Sequence, residues 1–208
     1  AQDYALPEVI GRIHNGGVYN QDFCNIGDHN GDGCDEIMMR SQENIIDVYF
    51  GGENMGADIG YQFDVAGLFD GEDEIIVRQE LMNIGSLIPN REPFLGLWAV
   101  VVSEPAQYFT MLYEGGDSLN QIPEHILNNS LFWGVAQCST PLDFNGDGYT
   151  DILTSVIVEE HQGKLQVYFG GADFDTIPDW EITYFGAPEW ISGGDINNDG
   201  CDDFILRN

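Results

Sequence analysis

The stretch that decides the fold reads "LDFNGDGYTDILT", residues 142–154. The same pattern recurs as "GDHNGDGCDEIMM" at 27–39 and as "GDINNDGCDDFIL" at 194–206. Each copy sets oxygen-bearing side chains at alternate positions, then a Gly, then an acidic residue that runs straight into an apolar strand. Counted from the first Asp, positions 1, 3 and 5 are Asp28, Asn30 and Asp32, then Asp143, Asn145 and Asp147, then Asp195, Asn197 and Asp199. Position 6 is Gly33, Gly148 or Gly200, and position 9 is Glu36, Asp151 or Asp203. Side chains alternating along a curved loop converge on one point, and a hard cation such as Ca2+ takes about six to eight oxygens. Position 7 offers its main-chain carbonyl in such a loop, so its side chain is free to vary: here it is Cys34, Tyr149 or Cys201. The residues at positions 1, 3, 5, 7 and 9 of the three loops, fifteen in all, are the expected metal ligands, and about three calcium ions are the expected cofactors. An EF-hand is excluded, because it needs a Glu at position 12 and flanking helices. Position 12 here is Met39, Thr154 or Leu206, and the flanks read as strands.

Outside the loops the apolar segments are short. "IIDVYFGG", "LWAVVVSE", "YFTMLYEGG", "DILTSVIVEE" and "KLQVYFGG" are of strand length, rich in Val, Ile, Tyr and Phe, and bounded by Gly, Asp or Asn. No long segment has a helical period; residues 120–132 have room for one helical turn. A second motif follows the strands: "VYFGGEN" at 48–54, "LYEGGDS" at 112–118 and "VYFGGAD" at 167–173. The repeat therefore runs strand, acidic loop, strand, turn, strand ending in Gly-Gly, outer strand. Four strands in roughly 40–50 residues is a propeller blade. "AGLFDGEDEIIV" at 66–77 reads as a degenerate loop that keeps Asp70, Gly71 and Glu74, and the copy around "LGLWAVVV" reads as having lost its loop. The expected blades are 16–63, 64–93, 94–131, 132–185 and 186–208, with 1–15 as an N-terminal segment of one all-β domain.

Charge excludes several partners. There are 36 acidic residues against 6 basic ones, a formal net charge of -30. Phosphates are repelled by such a surface, so a nucleic-acid partner is not expected. No run of about 18 apolar residues exists, so membrane insertion is not expected. Self-repulsion on this scale favours cation binding. Cys24, Cys34, Cys138 and Cys201 have long spacings and no CxxC, which argues against zinc and leaves two disulfides or buried thiols open.

A loop of the form DxNxDGxxD feeding a strand, followed by Phe169-Gly170-Gly171-Ala172 and partly by Phe50-Gly51-Gly52, resembles the FG-GAP repeats of the integrin α-subunit propeller and of many bacterial extracellular proteins. The resemblance implies a β-propeller, with calcium in the loops joining the first and second strands of a blade. Glu36 stands where Asp is usual, which implies a looser first site. The 66–77 copy lacks the first two ligands and is not expected to hold metal.

Catalytic arrangements are not expected. His14, His29, His125 and His161 are scattered, and no nucleophile elbow, HExxH or phosphate loop occurs. Trp98, Trp133, Trp180 and Trp190 recur at related places and suit blade packing, and Asn128 opens an Asn-x-Ser glycosylation signature. The last copy stops after its second strand. Closure by the N-terminal segment, membership of a longer propeller and strand addition from another subunit all remain open. The expected function is non-enzymatic: an extracellular or cell-surface, calcium-stabilised adhesion or structural module. Its partner is a protein, a carbohydrate or another copy. The alternative is a propeller domain of a carbohydrate-active enzyme, or a lectin.

Overall fold

The computed structural model describes residues 23–42, 45–52, 59–64, 74–102, 107–116, 122–128, 140–159, 162–186 and 189–207. These residues form strands and turns, with no helix among them. The first sheet holds β1 (Phe23–Gly27), β2 (Glu36–Arg40), β3 (Ile45–Tyr49) and β4 (Tyr61–Asp64), and the second holds β5 (Glu74–Gly85), β6 (Phe94–Val102), β7 (Gln107–Glu114) and β8 (His125–Asn128). The third holds β9 (Thr140–Leu142), β10 (Asp151–Glu159), β11 (Gln162–Tyr168) and β12 (Trp180–Phe185), and the fourth pairs β13 (Glu189–Gly194) with β14 (Asp203–Arg207). Every pairing is antiparallel and follows chain order, as in propeller blades. None of the described sheets closes on itself.

The sheets stack face to face: strand side chains alternate sides, and the second and third sheets bury apolar residues on both faces. Leu95, Leu97, Met111 and Tyr113 of the second sheet meet Ile26, Met38, Ile46 and Val48 of the first. Their neighbours in the same strands, Phe94 and Leu112, turn the other way and meet Ile152 and Tyr168 of the third. Leu153, Leu165 and Val167 of the third then meet Phe204 and Leu206 of the fourth, with Trp180 packed beside them. The innermost strands touch in series: β1 with β5, β5 with β9, β9 with β13.

Three expectations are corrected. Residues 64–93 and 94–131 do not make separate blades, because β5 to β8 share one sheet. Glu74 opens the first strand of that sheet, and the reading of 66–73 as a degenerate acidic loop lies outside the described residues. The loop thought lost is present as residues 86–93, between β5 and β6, with Phe94 opening β6; we call 86–94 the loop segment, counted to its ninth position as in the acidic loops. Residues 125–128 are strand, not a helical turn, because His125 to Asn128 pair with Leu112 to Phe109. Cys24, Cys34 and Cys201 carry free thiols. The N-terminal segment 1–15, Cys138, Trp133, His14, His161 and the turn beyond Asn128 lie outside the described residues. Trp98 and Trp190 lie in β6 and β13.

Candidate metal centre

Each acidic loop joins the first strand of a sheet to the second, and the strand geometry delivers it in one shape. β1 and β13 end in a bulge at Asn25/Gly27 and Ser192/Gly194, so that Gly27 faces Glu36 and Gly194 faces Asp203. Inside the loops the bonding repeats. The position-1 carboxylate accepts the position-6 amide: Gly33 to Asp28 Oδ2 (2.9 Å), Gly148 to Asp143 Oδ2 (3.0 Å), Gly200 to Asp195 Oδ2 (2.9 Å). The position-5 carboxylate accepts the position-7 amide: Cys34 to Asp32, Tyr149 to Asp147, Cys201 to Asp199. Asn30 and Asn145 each accept the amide two residues on and donate to the position-5 carboxylate. Asn197 holds the corresponding exposed place in the third loop.

Position 9 anchors the loop from below. Asp151 Oδ2 accepts from Phe144 and Asn145 N–H (2.8 and 3.2 Å), and its Oδ1 accepts from Gly170 N–H (2.7 Å). Glu36 Oε2 accepts from His29 and Asn30 N–H (2.6 and 3.3 Å), so the longer side chain makes the same pair of bonds. Asp203 accepts from Ile196 N–H. Burial pushes Asp151 up to about 6 and raises Glu36 as well. His29 at position 2 packs its ring against Gly115, and burial lowers its pKa to about 4.

The donor set suits a hard cation. It is all oxygen, and carboxylate oxygens of Asp28, Asp32 and Glu36 lie within 4.8 Å of one another. In the second and third loops Oδ1 of the first Asp accepts the position-5 amide, from Asp147 and from Asp199. In the first loop the same atom of Asp28 is buried and has no hydrogen-bond partner. A buried carboxylate oxygen left unpaired is costly unless a proton or cation satisfies it.

The loops sit side by side along one end of the stack. Gly116 N–H donates to His29 C=O (2.8 Å), Gly171 N–H to Leu87 C=O (2.7 Å) and Asp202 N–H to Asp143 C=O (2.7 Å). Each blade thereby holds the loop of the blade before it. In the first two of these contacts the Gly115-Gly116 and Gly170-Gly171 motifs permit the close approach.

Three stacked four-stranded sheets and a two-stranded one, three of them carrying an acidic loop at one end, define a β-propeller-like interaction module. Residues 143–206 match the family model of the FG-GAP-like repeat. The chain thus carries an FG-GAP repeat over the stretch that holds its second and third acidic loops. No curated protein matches the chain significantly.

Sequence reasoning missed Glu114 and Arg91, which hold the 86–94 loop. Their signal was available: Ile122-Pro123-Glu124 precedes β8 just as Ile177-Pro178-Asp179 precedes β12. Those matching tripeptides mark the same place in two blades and locate the second blade's loop upstream of Phe94.

Proposed function

We propose that the protein is a non-enzymatic, extracellular calcium-binding module whose ions are structural, serving adhesion or a surface or filament assembly. The observation that carries the reading is the buried, partnerless Oδ1 of Asp28 beside Asp32 and Glu36, in a loop frame repeated twice more. Asp28, Asn30, Asp32, the Cys34 carbonyl and Glu36 would hold one ion. Asp143, Asn145, Asp147, the Tyr149 carbonyl and Asp151 would hold the second; Asp195, Asn197, Asp199, the Cys201 carbonyl and Asp203 the third. Bound calcium supplies positive charge that lets clustered carboxylates approach without repulsion. The chain's own part is to fix the loop amides and to tie positions 1 to 5 to the strand at position 9. FG-GAP repeats typically occur in extracellular proteins, which supports that location. A net charge of -30 disfavours nucleic acid and favours a partner with basic or hydroxyl-rich groups. β14 pairs only with β13 among the described strands, and strand addition to it from a protein partner or a second copy is one route to assembly.

The test is a calcium titration of the cation-stripped full chain, read by calorimetry and by thermal unfolding. About three ions should bind, and stabilisation should reach about 2.7 kcal/mol per site at a hundredfold excess over Kd. Asp28→Ala and Asp143→Ala should each remove one ion. An unchanged Tm with no bound ion would reduce the loops to turns and end the calcium reading.

A further inference from the structure

The 86–94 loop has the span of the acidic loops but different chemistry. Gly85 precedes it and pairs with Phe94, as Gly27 pairs with Glu36 and Gly194 with Asp203. Ser86, Ile88 and Asn90 stand at positions 1, 3 and 5, Arg91 stands where the other loops have Gly, and Phe94 stands where they have the acid. The aromatic has a counterpart. In the first and third sheets the residues one step beyond the Ile37–Tyr49 and Ile152–Tyr168 pairs are Glu36 with Phe50 and Asp151 with Phe169. In the second sheet the same place holds Phe94 opposite Glu114. Acid and aromatic have changed strands.

The moved acid takes over the work of the missing one. Glu114 accepts from Arg91 Nε (2.5 Å) and from Arg91 Nη2, and also from Glu92 N–H (3.3 Å). Glu124 stands 3.8 Å from the same guanidinium, which lies 5.8 Å from the Phe94 ring centroid. Gly115 N–H, whose counterpart Gly170 donates to Asp151, donates instead to Pro93 C=O (2.9 Å). A guanidinium is always charged and matches a carboxylate with two parallel bonds.

We infer that Arg91 is a tethered cation: its pair with Glu114 closes the 86–94 loop without a metal ion. The second sheet therefore stays closed when divalent cations are withdrawn, while the loops on either side loosen. Cation level then tunes both flanks of the stack around one cation-independent blade. This rests on the calcium reading of the other three loops.

Hydrogen exchange of the full chain, with calcium and after cation stripping, tests it in wild type, Arg91→Ala and Arg91→Lys. In the wild type, stripping should speed exchange in 28–36, 143–151 and 195–203 and leave 86–94 and Gly115 unchanged. Arg91→Ala should speed exchange at Glu92 and Gly115 roughly five- to tenfold with or without calcium, the size expected of one bidentate pair. Arg91→Lys should fall between, and the ion count should not change. Loss of protection in 86–94 on stripping the wild type overturns the inference. So does an Arg91→Ala chain whose 86–94 loop exchanges as before. If no loop responds to stripping, the calcium reading fails by itself, and Arg91→Ala still decides whether the pair closes its loop.

Discussion

At the scale of single residues, two kinds of glycine carry the architecture, for different reasons. Gly33, Gly148 and Gly200 have φ of 90°, 87° and 94°, with nothing within 4 Å of where a Cβ would sit. Only the backbone conformation demands glycine there. Gly51 and Gly170 are the reverse case. A Cβ on Gly170 would lie 2.4 Å from Thr150 O and 2.9 Å from Leu87 O, and one on Gly51 would lie 2.4 Å from Asp35 O. Backbone atoms of the loop and of the neighbouring blade cannot yield as a side chain can. Gly170→Ala should therefore cost about 1–3 kcal/mol as an overpacked site, and it should also weaken calcium binding by shifting the amide that Asp151 accepts. Gly148→Ala should strain the loop by about 1–2 kcal/mol. Chemical denaturation of both variants checks this, and a Gly170→Ala protein as stable as wild type would show that the motif is not a packing surface.

At the scale of elements, the blade is a sheet that spends both faces. Leu153 and Ile152 are neighbours in β10, both fully buried, and they serve opposite interfaces. Leu153→Ala should cost about 2–5 kcal/mol, because the cavity opens between two sheets that cannot both collapse into it. Ile205, two residues after the acid of the last loop as Leu153 is in its own, is 54% exposed, because no described sheet covers the outer face of β14. Ile205→Ala should change stability by less than about 0.5 kcal/mol. Equal losses for the two variants in urea melts would mean that a further layer covers the fourth sheet. The same contrast explains what the sequence made legible. The acidic loops could be read because every position has its own chemical duty: oxygens at 1, 3 and 5, left-handed backbone at 6, an amide acceptor at 9. The second blade could not, because its loop keeps length and geometry while exchanging Phe and Glu between strands, so no local pattern survives. The partner of Glu114 is Phe94, 20 residues away, and only the strand register brings them together.

At the scale of the whole molecule, charge governs behaviour. With 36 acidic residues and 6 basic ones, folding gathers carboxylates that repel one another, and the loops concentrate them. Burial adds to this at Asp151, pushing it up to about 6 in the folded chain, from 3.8. Between those values the ion-free native state binds more protons than the unfolded chain, so its stability falls as pH rises from about 4 to about 6. Glu36 is raised by burial too and acts in the same direction. A cation at the loop reverses the balance, because it requires the ionised carboxylate and displaces the proton. Two outcomes are expected from cation-stripped protein titrated with calcium at pH 7.5 and pH 5. Without calcium the protein should melt higher at pH 5 as far as these two groups are concerned. Calcium affinity of the 143–151 loop should fall about tenfold at pH 5, where about one molecule in ten has Asp151 ionised. Asp151→Asn should remove that loop's pH dependence while leaving the response of the 195–203 loop. Affinity that is the same at both pH values would mean that Asp151 does not sense the ion, and position 9 would then be an anchor for the loop amides and not a ligand.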